Sequence, residues 1–343
     1  MKTRTAGMDV ATTGTGLLGI EATEPEFAVS VRAGLAQVEA ALRTAVADAD
    51  PLVGSAARHL VEAGGKRFRP LLALLAANFG NPDAPAVVEA AVVAELTHLA
   101  TLYHDDVMDE ASVRRGAPSA NARWTNTIAI LTGDYLFARA SDLVADLGPD
   151  AVRLQARTFA RLVTGQIRET AGPAEGADAV AFHLHVLAEK TGSLIATSAR
   201  FGALFSGCGP AITETLTAFG EEIGVAFQLS DDLLDIASTS AESGKTPGTD
   251  LREGVPTLAV LHALAGDDPA EARLRELIAR PIRDDAEVTE ALELLRGSPA
   301  MAMAQATLGA YAQRARDLLA TLPDVPARRA LETLTHYVLD RSS

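Results

Sequence analysis

The sequence has little cysteine, few aromatic side chains and a deficit of positive charge, and each shortage excludes a class of protein. The single cysteine, Cys208, excludes an internal disulfide framework and a cysteine-built zinc site, and it predicts a reducing, cytoplasmic location. With 30 Lys and Arg against 45 Asp and Glu, the net charge of −15 argues against a broad nucleic-acid-binding surface. Because no uninterrupted apolar run reaches about 18 residues, no transmembrane segment is predicted.

The composition and the hydrophobic spacing favour an all-α fold. Hydrophobic residues make up 48% of the chain but aromatic residues only 4%, so the core is built mainly from Ala, Leu and Val, which suits helices packed on helices. Residues 26–47 carry apolar positions at spacings of three and four, and 87–108 is apolar on nearly all sides, as in a buried helix. Further helices are predicted over 133–146, 150–171, 179–206, 211–237, 256–265, 285–296, 300–321 and 326–340.

The chain is predicted to form one domain. Residues 1–24 are interpreted as a mobile N-terminal arm, and 25–343 as a single bundle of roughly ten or more helices. The one long irregular stretch, 237–256, is rich in Ser, Thr and Gly. A polar loop of that length in a compact helical domain is more often functional than idle, so it is a candidate lid.

Two acidic clusters share one spacing. Asp105, Asp106 and Asp109 form the first, and the run from Asp231 through Asp232 to Asp235 forms the second. Residues four apart lie on one face of a helix, so the outer carboxylates of each cluster point the same way. Either cluster alone could be a solvated acidic face. Because both end strongly apolar runs, where unpaired carboxylates are costly, the repetition favours metal binding, and oxygen ligands suit Mg²⁺.

Basic residues occur at four glycine-containing sites. Lys66, Arg67 and Arg69 follow Gly64-Gly65, and the other sites are Arg114-Arg115-Gly116, Lys190-Thr191-Gly192 and Gly244-Lys245-Thr246. Guanidinium groups bind phosphate with two parallel hydrogen bonds, and lysine acts as a mobile charge. Any one of these groups alone is most simply a solubilising surface charge. The Gly65-Lys66 and Gly244-Lys245 pairs both lack the spacing of a Walker P-loop.

Together these motifs resemble those of the trans-isoprenyl diphosphate synthases, also called polyprenyl synthetases. The similarity is greatest to the bacterial long-chain enzymes that supply quinone side chains. The matching stretches occur in family order over about 200 residues: GGKRFRP (64–70), ELTHLATLYHDDVMDEASVRRGAPS (95–119), GDYLF (133–137), TGQ (164–166), EKTGSL (189–194), GVAFQLSDDLLD (224–235) and GKTPGTDLREGVPTL (244–258).

The resemblance implies a helical fold around a deep central cavity and a prenyltransferase activity. Such enzymes join an allylic diphosphate, for example farnesyl or geranylgeranyl diphosphate, to isopentenyl diphosphate and release pyrophosphate. It also implies about three Mg²⁺ ions, held by Asp105 and Asp109 on one side and by Asp231, helped by Asp235, on the other. The residues implied for the allylic diphosphate are Arg114, Lys190, Thr191, Gln228 and Lys245, and those implied for isopentenyl diphosphate are Lys66, Arg69, His98 and Arg115. The catalytic set is then Asp105, Asp109, Lys190, Asp231 and Lys245.

Product length is predicted from the residues below the first acidic cluster. In the family, a bulky aromatic side chain four or five residues upstream stops chain growth early. Here those positions are Thr101 and Ala100, with Thr97 one turn further on. All three side chains are small, which predicts a long product of about C35–C50, while Leu136 or Phe137 could close the cavity lower down.

Two alternatives remain open at this stage: a short-chain synthase that stops at geranylgeranyl diphosphate, and a non-catalytic subunit of a two-component synthase. Against the second, this chain keeps both acidic clusters and every basic site. The resemblance further implies a homodimer, and the greasy product implies transient membrane contact at release.

Overall fold

In a computed structural model of the protein, residues 19–48, 50–237 and 247–340 can be described. The N-terminal half contains α1 (Ile20–Thr23), α2 (Pro25–Ala45), α3 (Pro51–Glu62), α4 (Phe68–Ala77), α5 (Pro85–Met108), β1 (Val113–Arg114), β2 (Ala117–Pro118), α6 (Ala120–Arg123), α7 (Asn126–Asp146) and α8 (Pro149–Ala171). The C-terminal half contains α9 (Ala179–Leu187), a π-helical turn (Ala188–Gly192), α10 (Ser193–Phe205), α11 (Pro210–Ala237), α12 (Thr249–Glu253), α13 (Leu258–Ala265), a 3₁₀ turn (Pro269–Glu271), α14 (Ala272–Ile278), α15 (Asp285–Arg296), α16 (Pro299–Leu319) and α17 (Pro326–Asp340).

The predicted all-α fold is confirmed, and the long periodic segments all form helices. Sequence analysis gave no range for α3, α4, α6 or α14. Glycine and histidine interrupt the apolar pattern of α3, whose N-terminus is capped by the Asp50 carboxylate, and α4 is almost entirely apolar, so it lacks periodicity. It also missed α12, which lies inside the stretch predicted to be irregular. The only sheet among the described residues is the two-stranded β1–β2 hairpin.

The helical fold begins inside the segment predicted to be a mobile arm. Ile20 is completely buried in the larger hydrophobic core, and the Thr23 hydroxyl lies 3.0 Å from that of Thr333 on α17. Glu24 pairs with Arg329 on the same helix at 2.5 Å. The boundary at residue 24 is therefore wrong, because a short polar-flanked helix of four residues gives too weak a periodic signal to be recognised; residues 1–18 lie outside the described residues.

Helix α5 is the central element of the N-terminal half. It packs against α2, α4, α7 and α10, and thirteen of its side chains are buried. Its length and mean hydropathy of 1.4 over an 18-residue window would allow it to cross a membrane, but 67% of that window is buried inside the protein. Burial on nearly all sides explains its uniformly apolar sequence.

Helices α4 and α10 approach so closely that a single β-carbon would not fit between them. A Cβ at Gly202 would lie 2.0 Å from the Ala73 carbonyl oxygen. We therefore expect Gly202→Ala to lower the free energy of unfolding by about 3 kcal/mol, because the helices must separate. Chemical denaturation measures this loss. The control is Gly309→Ala on α16, where a Cβ would meet no atom within 4 Å. Equal stability of the two variants would contradict the close packing.

Candidate active site

Both acidic clusters lie at the C-terminal ends of long helices. Asp105 is in the last turn of α5 and Asp109 is its C-cap, while Asp231 and Asp235 are in the last two turns of α11. The carbonyl end of a helix already carries partial negative charge, so carboxylates there are unfavourable unless a cation compensates them. The fold therefore concentrates negative potential at these two helix ends.

The first cluster lies beside charges from two other helices. Burial raises the pKa of Asp105 to about 6, Lys190 opposes that shift, and Asp109 and Glu169 add to it. The pKa of Asp109 is also raised by burial and lowered by Lys190 and then Arg114. These mutual effects place the last turn of α5 opposite the π-helical turn and the end of α8, in a partly dry space that favours a cation.

The second cluster opens onto the same space. Burial raises the pKa of Asp232 to about 7; the hydrogen bond from Gln228 lowers it, while Asp231, Asp235 and Glu169 raise it. Glu169 therefore acts on both clusters. The Asp235 carboxylate accepts backbone N–H groups of Thr249 at 3.2 Å and Asp250 at 3.1 Å. Asp235, predicted to help hold a metal, thus also anchors the start of α12.

The π-helical turn presents Lys190 and Thr191 toward the acidic clusters. Lys190 Nζ lies 2.5 Å from Glu169 on α8, and the Thr191 hydroxyl donates to Gln228 Oε1 at 3.4 Å. A π-bulge in a helix is frequent at functional sites. The π-helical turn can pack closely against α8 because α8 has a glycine at the contact. A Cβ at Gly165 would lie 2.7 Å from the Lys190 backbone nitrogen.

The β1–β2 hairpin sends its two arginines to opposite sides. Arg115 and Gly116 form its two-residue loop with φ of 53° and 76°, the left-handed pair of a type I′ turn and a strained position for arginine. Arg114 Nε donates to the buried Asp106 carboxylate at 2.6 Å, and Arg114 Nη2 lies 3.9 Å from the Asp109 carboxylate. Arg115 turns instead to the carbonyls of Leu60, at 3.2 Å, and Gly64.

Arg69 and His98 form a second, cationic region together with Arg115. Burial lowers the pKa of Arg69 to about 10, with Glu95 opposing the shift and Arg115 adding to it. Burial and then the neighbouring arginines hold the pKa of His98 well below its usual range, so its imidazole is neutral. A Cβ at Gly65, whose φ is 137°, would lie 2.8 Å from the Arg115 guanidinium. Exposed Lys66 lies on the same loop.

Arg67 stabilises the backbone and glutamates next to this cationic region through buried hydrogen bonds. Its guanidinium is buried between Glu39 and Glu95, at 2.9 Å from Glu95, and also donates to the Val61 carbonyl at 2.9 Å. Glu95 is 1% exposed and lies 3.9 Å from Arg115. Because its donors are occupied, Arg67 is structural, while the Arg69 Nε atom is buried with no hydrogen-bond partner among the described residues.

The three predicted chain-length residues have different surroundings. Thr101 is partly buried one turn below Asp105 and donates its hydroxyl to the His98 carbonyl at 2.8 Å. Ala100 is 1% exposed within the core shared with α7. The Thr97 hydroxyl is fully buried and accepts the amide of Gln155 on α8.

The structure also brings in residues that sequence analysis missed. Glu169 and Glu253 lie within the field of the acidic clusters, since burial and then Asp109 and Asp235 raise the pKa of Glu253. An acidic residue in the last turn of α8 opposes the helix dipole, a signal that could have marked Glu169. Lys245 lies outside the described residues, as do the other residues of the predicted lid between 238 and 246. Two further residues next to the first cluster have structural partners: the Tyr103 hydroxyl donates to the Ala56 carbonyl at 2.5 Å, and His104 Nε2 lies 3.1 Å from the Ile130 carbonyl oxygen.

The donor set fits a hard divalent cation such as Mg²⁺. Its ligands are carboxylate oxygens, and the raised pKa values show that uncompensated negative charge is costly there. Within the described ranges, no three or more His, Cys, Asp or Glu side chains form a ready-made metal cage. Mg²⁺ needs none, because it takes one or two protein carboxylates and completes its shell with water and substrate phosphate.

The all-α fold brings two carboxylate clusters within electrostatic range of shared neighbours and of basic side chains, an arrangement that suits a divalent cation and a diphosphate. Comparison with known proteins identifies the family. The family model for polyprenyl synthetase matches residues 50–295, and the chain belongs to that family of prenyltransferases.

Similar proteins include both long- and short-chain enzymes. The chain is 55% identical to nonaprenyl diphosphate synthase of Mycobacterium tuberculosis, covering 96% of this chain and 99% of that one. It is 44% identical to a dimethylallyltranstransferase of the same organism, covering 92% and 96%. A crystal structure of geranylgeranyl pyrophosphate synthase from Corynebacterium glutamicum, complexed with calcium and isoprenyl diphosphate, is 45% identical with a TM-score of 0.83, covering 93% and 98%.

Proposed function

We propose that this protein is a Mg²⁺-dependent all-trans polyprenyl diphosphate synthase that makes a long-chain product, about C35–C50, used for a quinone side chain. The observation that carries the proposal is the pairing of two carboxylate clusters, which suit one metal-bound diphosphate, with a separate cationic region for a second diphosphate. The 55% identical nonaprenyl diphosphate synthase supports the long product.

The allylic diphosphate is assigned to the space between the clusters. Asp105 and Asp109 from α5, and Asp231 with Asp235 from α11, would hold about three Mg²⁺ ions there. Bound Mg²⁺ supplies positive charge to the departing pyrophosphate. Arg114, Lys190, Thr191, Gln228 and Lys245 would bind the diphosphate oxygens, and the charged donors among them stabilise the negative charge that develops as the C1–O bond breaks.

Isopentenyl diphosphate is assigned to the second region, lined by Lys66, Arg69, His98 and Arg115. Neutral His98 can donate one N–H without adding charge, while the arginines and the lysine balance the diphosphate. The double bond of this substrate attacks allylic C1 and a proton is then lost, with the departing pyrophosphate as the assigned acceptor. Burial of the reacting carbons excludes the water that would otherwise quench the cation.

If the two substrates bind at separate diphosphate sites, a substitution in one site should raise the KM only for the substrate that binds there. Arg69→Gln should raise KM for isopentenyl diphosphate about 10- to 100-fold, because a charged hydrogen bond contributes about 1.5–3 kcal/mol, and should leave the allylic KM within about twofold. Lys190→Gln should do the reverse. Steady-state kinetics with each substrate varied in turn measure this, with exposed Arg153→Gln on α8 as the matched control. If both variants raised the same KM, the assignment of two sites would fail.

The short-chain alternative is favoured by the similarity to the 45% identical geranylgeranyl pyrophosphate synthase and to the 44% identical dimethylallyltranstransferase. Product analysis separates it from the long-chain proposal. A non-catalytic subunit would instead show no turnover alone.

We further propose that residues 19–343 act as one synthase domain in a cytoplasmic homodimer that contacts a membrane transiently when it releases product. Ile130 and Leu131 on α7 are 43% and 56% exposed and offer an apolar surface for the membrane contact.

A further inference from the structure

Four buried polar side chains link α5, α8 and α10 in an otherwise apolar part of the protein. Thr97 on α5 accepts a hydrogen bond from the Gln155 amide on α8, and the hydroxyls of Thr158 on α8 and Thr197 on α10 lie 2.6 Å apart. Their exposed fractions are 0%, 3%, 4% and 4%. We call these four residues the polar belt.

The polar belt lies at one level below the reacting groups. Thr97 precedes Asp105 by eight residues, about 12 Å along α5 at 1.5 Å per residue. Thr197 follows Lys190 by seven residues, about 10 Å along the π-helical turn and the start of α10. Asp105 and Lys190 interact electrostatically, so they mark the same end of the site. Thr97 on α5 and Thr197 on α10 therefore lie at similar depths below that end.

A growing product would meet the belt early. With carbon–carbon bonds of about 1.5 Å, a depth of about 12 Å accommodates only about two to three extended isoprene units. A product of C35–C50 is several times longer. A chain that extends downward from the acidic clusters between these helices must therefore displace the belt or stop there.

Gln155 is the member of the belt that is held least well. Thr97 and Thr197 each also donate to a carbonyl of their own helix, at 2.8 Å and 2.9 Å. Gln155 Oε1, in contrast, is buried with no hydrogen-bond partner among the described residues, which costs about 1–3 kcal/mol. Only the bond to Thr97, worth about 1 kcal/mol net, fixes its amide.

We propose that the polar belt resists growth of the prenyl tail beyond about two to three isoprene units, that Gln155 is its movable gate, and that the ease of opening shifts the distribution of product lengths. The gate is a specificity-determining residue, not a catalytic one, because it lies away from the reacting carbons. When the prenyl tail reaches this level, the Gln155 side chain leaves Thr97 and opens the space between α5 and α8. This inference rests on the proposed synthase function.

Product-length analysis of three variants tests the gate. Gln155→Ala removes it and should shift the product distribution to chains longer by at least one isoprene unit. Thr97→Val keeps the side-chain volume but removes the acceptor for the Gln155 amide, and it should shift the distribution in the same direction. Gln155→Phe should shorten the product. The assay uses purified full-length protein, Mg²⁺, farnesyl diphosphate and excess labelled isopentenyl diphosphate.

Ser198→Ala is the control, because Ser198 is equally buried on α10 but bonds only the Leu194 carbonyl of its own helix; its product distribution should match the parent. Folded Gln155→Ala and Thr97→Val proteins that give the parental distribution, or no product at all, would overturn the gate. If Gln155→Ala does not fold, the product distribution of Thr97→Val alone decides whether the gate exists. Absence of turnover in the parent would instead refute the synthase function, so the two failures are distinguishable.

Discussion

Replacing Asp105 by asparagine is expected to lower kcat for condensation about 10³-fold, equivalent to about 4 kcal/mol of transition-state stabilisation. The amide keeps the shape of the side chain but removes the charge that would hold a divalent cation against the leaving pyrophosphate. Asp105 is also the carboxylate on which burial, Lys190 and Asp109 act together. Single-turnover incorporation of labelled isopentenyl diphosphate measures the loss.

The matched control is Glu89→Gln, which makes the same charge change at an exposed position on the same helix. It should keep kcat within about twofold, since exposed charges contribute little. The unfolding temperature of Asp105→Asn should not fall, because the substitution relieves a buried negative charge. An Asp105→Asn protein with parental kcat would remove this aspartate from the reaction.

The second large effect is expected at Thr101. Thr101→Phe should shorten the product from about C35–C50 to C20 or less, because Thr101 lies one turn, about 6 Å, below Asp105 and its small, partly buried side chain leaves room for the prenyl tail. Chromatography of the dephosphorylated products measures the change. Thr101→Val, which conserves volume, should keep the parental length.

The same substitution at Ala100 is expected to act on stability instead. Ala100 is 1% exposed in the core, and its carbonyl oxygen lies 3.0 Å from where a Cβ on Gly133 of α7 would stand. A phenylalanine there would overpack the contact between α5 and α7, at a cost of about 1–3 kcal/mol or more. A stable Ala100→Phe enzyme with a short product would show that Ala100, like Thr101, faces the prenyl tail.

The helical fold could be predicted because its long helices have strong local patterns. Helix α2 repeats apolar residues every three or four positions, and α5 is apolar throughout, so length and periodicity sufficed. Helix α4 could not be recognised, since ten nearly continuous apolar residues fit a buried helix or a buried strand equally well. Helix α12 forms against the Asp235 carboxylate, a contact between residues fourteen apart that the loop composition hides.

The sequence indicated candidate site residues but not the contacts that connect them. Spacing showed that Asp105 and Asp109 share a face, and the structure agrees in placing both beside Lys190. Sequence could not show that Arg67 is occupied by Glu39 and Glu95 while the Nε atom of Arg69 has no hydrogen-bond partner among the described residues. Nor could it show that the Thr97 position, small in sequence, is crossed by a glutamine from another helix. Such contacts depend on helix packing, which no local pattern encodes.

The most direct test of the synthase function is turnover by the purified protein with labelled isopentenyl diphosphate and Mg²⁺. Each allylic primer (C5, C10, C15 and C20) is supplied in turn, and product length is read by chromatography after dephosphorylation. The account predicts Mg²⁺-dependent incorporation with products of about C35–C50, abolished by EDTA. A stop at C20 would contradict the long-chain assignment and leave the enzyme class intact. No incorporation with any primer, in protein shown to be folded, would contradict the catalytic function itself.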